Sequence, residues 1–90
     1  MKYEVIIAAS AEAVFRGLDA RWRCTLKDAM RQFLEYEPKK KSKSRIKRLK
    51  GLRQPQYRLR VGDIRVFYDV NDDLRRVEVV GFVLKSATEG

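Results

Sequence analysis

Apolar and polar positions change rhythm several times along this chain, and each rhythm predicts an element. "KYEVIIA" (2–8) is a short β-branched run and predicts an opening strand. Ser10 then stands where an N-cap would, ahead of "AEAVFRGL" (11–18), whose Val14 and Leu18 lie four apart on one predicted helix side. Gly17 and Asp19 mark a break, and Asp19 is placed to cap a second helix. In that helix Trp22, Leu26, Ala29, Met30, Phe33 and Leu34 recur at helical spacing, with Arg23, Lys27 and Arg31 outside the stripe. The stripe reads as core rather than as a ligand box, and Pro38 ends the helical region.

The next stretch, "KKKSKSRIKRLKGLRQPQ" (39–56), sustains neither period and contains Ser, Gly and Pro, so a long basic loop is expected, with a helical turn around Ile46 and Leu49. In "YRLRVGDIRVFYDV" (57–70) alternation returns on both sides of Gly62-Asp63, which predicts a hairpin with Val61 paired to Ile64. Leu59 then faces Val66 and Tyr57 faces Tyr68 on one side, with Arg60 opposite Arg65 and Arg58 opposite Phe67 on the other. "NDD" (71–73) is a turn and "LRRVEVVGFVLK" (74–85) a last strand, blurred in its alternation from Val79 onward as a strand near the sheet centre would be. The expected fold is α+β in the order β-α-α-β-β-β, a helical hairpin packed on one face of a mostly antiparallel four-stranded sheet. It forms a single domain over residues 1–90.

Charge changes the picture. Of a net +9 over 90 residues, the first 38 positions are neutral and the last 30 slightly acidic; residues 39–60 hold eleven Lys or Arg and no acid. A local electropositive surface follows, suited to a polyanion. No apolar run approaches the ~20 residues of a membrane span, and no signal-peptide plan is visible, so a cytoplasmic protein without a membrane partner is expected. Cys24 is the one cysteine and there is no histidine. Metal sites, disulfides and Ser-His chemistry are therefore not expected, nor is a cofactor, and Cys24 is expected to be a partly buried, inert thiol.

The predicted pairing of Arg60 with Arg65 is unfavourable by itself, since like charges directly across an antiparallel ladder repel. A phosphate between the two guanidinium groups would reverse the sign. Such forks bind phosphate oxygens bidentately and stay protonated, which suits them to stabilising charge in a transition state and makes them poor bases.

"RLKGLRQPQYRLRVGDIRVFYDV" (48–70) combines a Leu–Lys/Arg–Gly turn with Tyr-Arg-x-Arg and Gly-Asp-x-Arg-Val-x-Tyr, and in this it resembles the RelE/ParE toxin superfamily of type II toxin–antitoxin systems. The resemblance implies one of two activities. RelE-like toxins, the branch favoured here, are ribosome-dependent messenger-RNA endonucleases; ParE-like toxins poison DNA gyrase without cutting. Either implies an acidic antitoxin as partner, and the first implies the ribosome and messenger RNA as well. Carried over position by position, the RelE-like pattern places its catalytic cations on Arg58, Arg60, Arg65 and Lys85, with Lys85 or Lys50 available for proton transfer. Lys43, Arg45, Lys47, Arg48 and Lys50 are expected to grip RNA phosphates. The pattern's C-terminal tyrosine has no counterpart in "LKSATEG" (84–90), which leaves a third option, a catalytically weakened toxin that mainly binds antitoxin. No aromatic base-reading motif is visible in the sequence.

Overall fold

The structure is a computed structural model that describes residues 2–42, 45–51 and 54–84. The chain runs β1 (Glu4–Ile7), α1 (Ala9–Gly17), α2 (Ala20–Leu34), β2 (Ile46–Arg48), β3 (Tyr57–Val61), β4 (Ile64–Asn71) and β5 (Arg76–Leu84). The strands form one sheet in the order β1-β5-β4-β3-β2; β1 is parallel to β5 and every other pair is antiparallel. The α+β class and the mostly antiparallel sheet are as expected, but the described residues form five strands rather than four.

The additional strand is β2, inside the stretch expected to be a loop with a helical turn. Ile46 is buried against the core opposite Leu59, while Lys47 and Arg48 stay exposed. Three residues with a single inward apolar side chain are too few to show an alternation, and the charges around them read as loop. The Ser42 hydroxyl accepts from the backbone N–H groups of Arg45 and Ile46 and so sets the strand's start.

The helices differ from expectation in the start and the buried face of α1 and in the exposure of Cys24. α1 begins at Ala9, its N-cap is Ala8 without a side-chain cap, and Ser10 lies inside the helix. Its buried residues are Ala11 and Phe15; Val14 is 47% exposed, so the inward face is turned by one position from the Val14–Leu18 line, although Leu18 still packs against the core. A nine-residue helix offers too few turns for two apolar residues to define its face. α2 is as expected: Asp19 Oδ1 accepts from Trp22 N–H at 2.9 Å, and Leu26, Ala29, Met30 and Leu34 are buried with Trp22 and Phe33 packed beside them. Cys24 is exposed, not partly buried, because it falls on the outer side of α2.

The core lies between the helices and one face of the sheet. Leu59, Ile64, Val66, Tyr68, Val77 and Val79 meet Leu26 and Leu34 with essentially no solvent contact. Burial of one such aliphatic side chain contributes about 1.5–3 kcal/mol. Phe15 packs on Phe82 with ring centroids 5.5 Å apart. β5 carries one extra residue, Val80, between the pairs Phe67–Gly81 and Tyr68–Val79, and this bulge together with its interior position blurs the strand's alternation. Both helices pack on the inner face, and among the described residues no helix lies on the outer face of the sheet. No helix of the described residues is long and apolar enough to cross a membrane.

Candidate functional site

The hairpin β3–β4 has the register that alternation predicts: Val61 pairs with Ile64, Arg60 with Arg65, Leu59 with Val66, Arg58 with Phe67 and Tyr57 with Tyr68. Gly62, at φ +56°, takes the first central position of the two-residue turn, where a left-handed backbone is needed. With Tyr57, Leu59 and Val61 turned to the core, Arg58 and Arg60 are carried to the outer face, joined there by Arg65 from β4. Arg60 N–H donates to the Arg45 carbonyl of the strand on its other side, at 2.8 Å. The Arg60–Arg65 pair is therefore one of the non-hydrogen-bonded positions of its ladder, where opposite Cα atoms approach to about 4.5 Å and side chains are closest.

Nothing in the described structure neutralises these groups. Among the described residues no carboxylate lies within 4.0 Å of Arg58, Arg60 or Arg65; the ion pairs use other cations. Arg58 is half-buried, and its Nε–H is enclosed with no acceptor. Burial, then the charges of Arg65 and Arg60, push the Arg58 pKa below the ordinary arginine value. Two of these causes are the neighbouring cations themselves, so an anion seated among the three arginines relieves their repulsion.

The sheet divides the other basic residues. Lys47 pairs with Arg58 across β2–β3 and extends the cationic row on the outer face. Arg45 and Arg48 turn away from that row. Arg45 lies over the Phe33 ring of α2 at 4.8 Å and Arg48 over Tyr57 at 5.0 Å, each stacked on an aromatic of the helix side. Lys50 is exposed in the turn beyond β2, at the end of the strand away from Arg60. Lys43 and Lys85 lie outside the described residues.

Three solved structures are similar to this fold. The archaeal RelE of a RelE–RelB complex from Pyrococcus horikoshii superposes with a TM-score of 0.75 and 28% identity, covering 94% of this chain and 97% of that one. The chain has the fold of the RelE-like toxin superfamily. The toxin–antitoxin complex RelBE2 from Mycobacterium tuberculosis matches at TM-score 0.74 and 20% identity, over 93% of this chain and 99% of that one. A mutant of the toxin RelE from E. coli in the free state matches at 0.60 and 22%, over 99% and 90%. No protein-family model matches the chain, and no curated protein matches it in sequence.

Within this RelE-like fold the outer face has two electrical ends. The arginine end holds Arg58, Arg60, Arg65 and Lys47. At the other end Asp69 pairs with Glu78 across β4–β5, beside an open cleft of about 570 Å³ that also takes in Asp72, Asp73 and one cation, Arg76. The potential across the outer face therefore favours an anion at the arginine end over the acidic end. Sequence reading placed the three arginines on one side but did not separate Lys47 from Arg45 and Arg48, because the strand that separates them was read as loop.

Proposed function

We propose that this chain is the toxin of a type II toxin–antitoxin pair, and that it cuts messenger RNA on the ribosome through attack of the RNA's own 2′-hydroxyl. The single observation that carries the reading is the close Arg60–Arg65 pair on the outer face, without a carboxylate partner among the described residues and beside the enclosed donor of Arg58. The RelE-like fold, seen in an archaeal RelE–RelB complex and in a mycobacterial toxin–antitoxin complex, supports the toxin role and an antitoxin partner.

In the proposed reaction the 2′-oxygen forms a bond to the adjacent phosphorus and the P–O5′ bond breaks, leaving a 2′,3′-cyclic phosphate and a 5′-hydroxyl. One proton leaves the 2′-oxygen and one arrives at O5′. Arg60 and Arg65 hold the non-bridging oxygens and take up the charge that grows on them in the phosphorane. Arg58 and Lys47, one row along the sheet, hold the next phosphate. No histidine is available, and guanidinium groups are poor bases, so the chemistry leans on charge stabilisation and on the ribosome positioning the scissile bond. Lysine is the residue type for the proton steps: Lys47 stands in the cationic row, while Lys50 lies beyond its far end.

Pulse induction followed by primer extension on a translated transcript tests this reading. New 5′ ends inside translated codons are expected with the native chain and not with the Arg60→Ala/Arg65→Ala double variant, while both forms still bind a short acidic antitoxin. Intact transcripts together with DNA breaks would replace it with the gyrase reading.

A further inference from the structure

Phe67 is a large aromatic side chain that belongs to no part of the core. It lies on the outer face of β4, half-buried, and is absent from both the buried cluster and the apolar residues packed against it. Its cross-strand neighbours are Arg58 on β3 and Gly81 on β5, and Arg65 stands two residues away on the same face. Gly81 contributes no side chain on that flank of the ring: a Cβ built there would sit 4.0 Å from Phe67 Cδ2, in ordinary contact. Among the described residues no guanidinium lies over the ring either. The cation–π pairs among the described residues use Phe33, Tyr57 and Tyr3. A partly exposed aromatic ring among cations is the combination that holds a single strand, the cations taking the backbone and the ring a base.

We propose that Phe67 is the platform on which one base of a bound single-stranded RNA stacks, with the flanking phosphates held by Arg60 and Arg65 on one side and by Arg58 and Lys47 on the other. The proposal rests on the reading of this face as an RNA surface. Stacking is tolerant of base identity, since every base presents a π-face, so Phe67 supplies affinity and register without sequence preference. It also fixes the strand's distance from the sheet, which the long arginine side chains cannot do alone.

The test is a titration of a short single-stranded RNA carrying one 2-aminopurine with the full-length protein at low salt. Binding is expected to quench the fluorescence. Phe67→Leu is expected to abolish the quench and weaken binding roughly 5- to 150-fold, the loss of one stacked base. Phe67→Tyr is expected to retain both, and Gly81→Val, which adds a side chain against the ring's flank, to behave as Phe67→Leu does. Arg65→Ala is expected to weaken binding and flatten its salt dependence, by about 0.7 in log–log slope for one lost phosphate contact, while keeping the quench at saturation. A native-like quench in folded Phe67→Leu overturns the stacking role and leaves the phosphate reading standing; if that variant does not fold, a native-like quench in Gly81→Val does the same. Absence of salt-dependent RNA binding by the native chain overturns the phosphate reading and the stacking role with it.

Discussion

Arg60 faces Arg65 across the β3–β4 ladder at a position of closest approach, and among the described residues neither has a carboxylate within 4.0 Å. Cross-strand pairs are worth about 0.2–1 kcal/mol, and like charges directly opposite act against folding. The pair therefore costs stability in the free protein and recovers it only when an anion binds. Arg60→Ala or Arg65→Ala is expected to raise the unfolding free energy by a few tenths to about 1 kcal/mol, and the gain should shrink in high salt, which screens exposed charges. The same variants are expected to lose growth arrest. Urea melts at low and high salt check the first effect; a fall in stability would mean that the arginines hold the sheet together instead.

Gly62 answers two demands at once. Its φ of +56° lies in the left-handed region, and a Cβ there would stand 3.2 Å from Trp22 Cη2, where α2 reaches over the hairpin turn. Gly62→Ala meets both the backbone cost, about 1–2 kcal/mol for an L-residue, and the indole. Lower stability is expected, measured as a lower urea midpoint with unchanged slope. Adding Trp22→Leu should restore only the part due to the collision, since the backbone cost remains.

What was legible in the sequence followed from periods long enough to be seen. The α2 stripe repeats over 15 residues, and the β3–β4 alternation runs on both sides of a turn dipeptide that admits one register, so core and arginine face were both assigned correctly. Short elements left no such trace. β2 contributes one inward apolar residue, Ile46, and α1 shows its face through Ala11 and Phe15, one of them too small to stand out in a pattern. Cys24 was misjudged because free cysteines are usually buried, and that tendency yields to a position on the solvent side of a helix. The electrical division of the outer face depends on β4–β5 pairing between residues far apart in the chain, such as Asp69 with Glu78, which local reading does not reach.

Tyr68 closes the core against the segment that follows α2. Its hydroxyl donates to the Pro38 carbonyl at 2.6 Å in a fully buried setting, and its ring stacks on Tyr57 with centroids 5.5 Å apart. Burial, then the neighbouring Tyr57, push its pKa well above the ordinary tyrosine value. Tyr68→Phe keeps the ring and removes the donor, leaving a buried carbonyl unsatisfied at a cost of about 1–3 kcal/mol. Calorimetry on the variant checks the magnitude. In the native chain, alkaline titration is expected to show one tyrosine that ionises only as the protein unfolds.

Asp72 ties three separate segments together. Its Oδ1 accepts from the Tyr3 hydroxyl at 2.7 Å and its Oδ2 pairs with Lys39 Nζ at 2.7 Å, so the turn after β4, the approach to β1 and the segment after α2 share one carboxylate. The hydrogen bonds from Lys39 and then Tyr3 hold the Asp72 pKa below the usual carboxylate value. A depressed folded pKa means that the unfolded chain takes up the proton first. The stabilisation is therefore complete above the unfolded value of about 3.9 and is lost as pH falls through the folded one. The same contact raises the Lys39 and Tyr3 pKa values, so at high pH their share persists below the unfolded values and is lost as pH climbs through the folded ones. Asp72→Asn is expected to lower stability near neutral pH and to flatten the acid limb of the pH–stability curve, because the titrating group is gone. Urea melts taken from about pH 3 to about pH 7 separate this from a general acid effect: a variant curve parallel to the native one would mean that other carboxylates govern the acid limb.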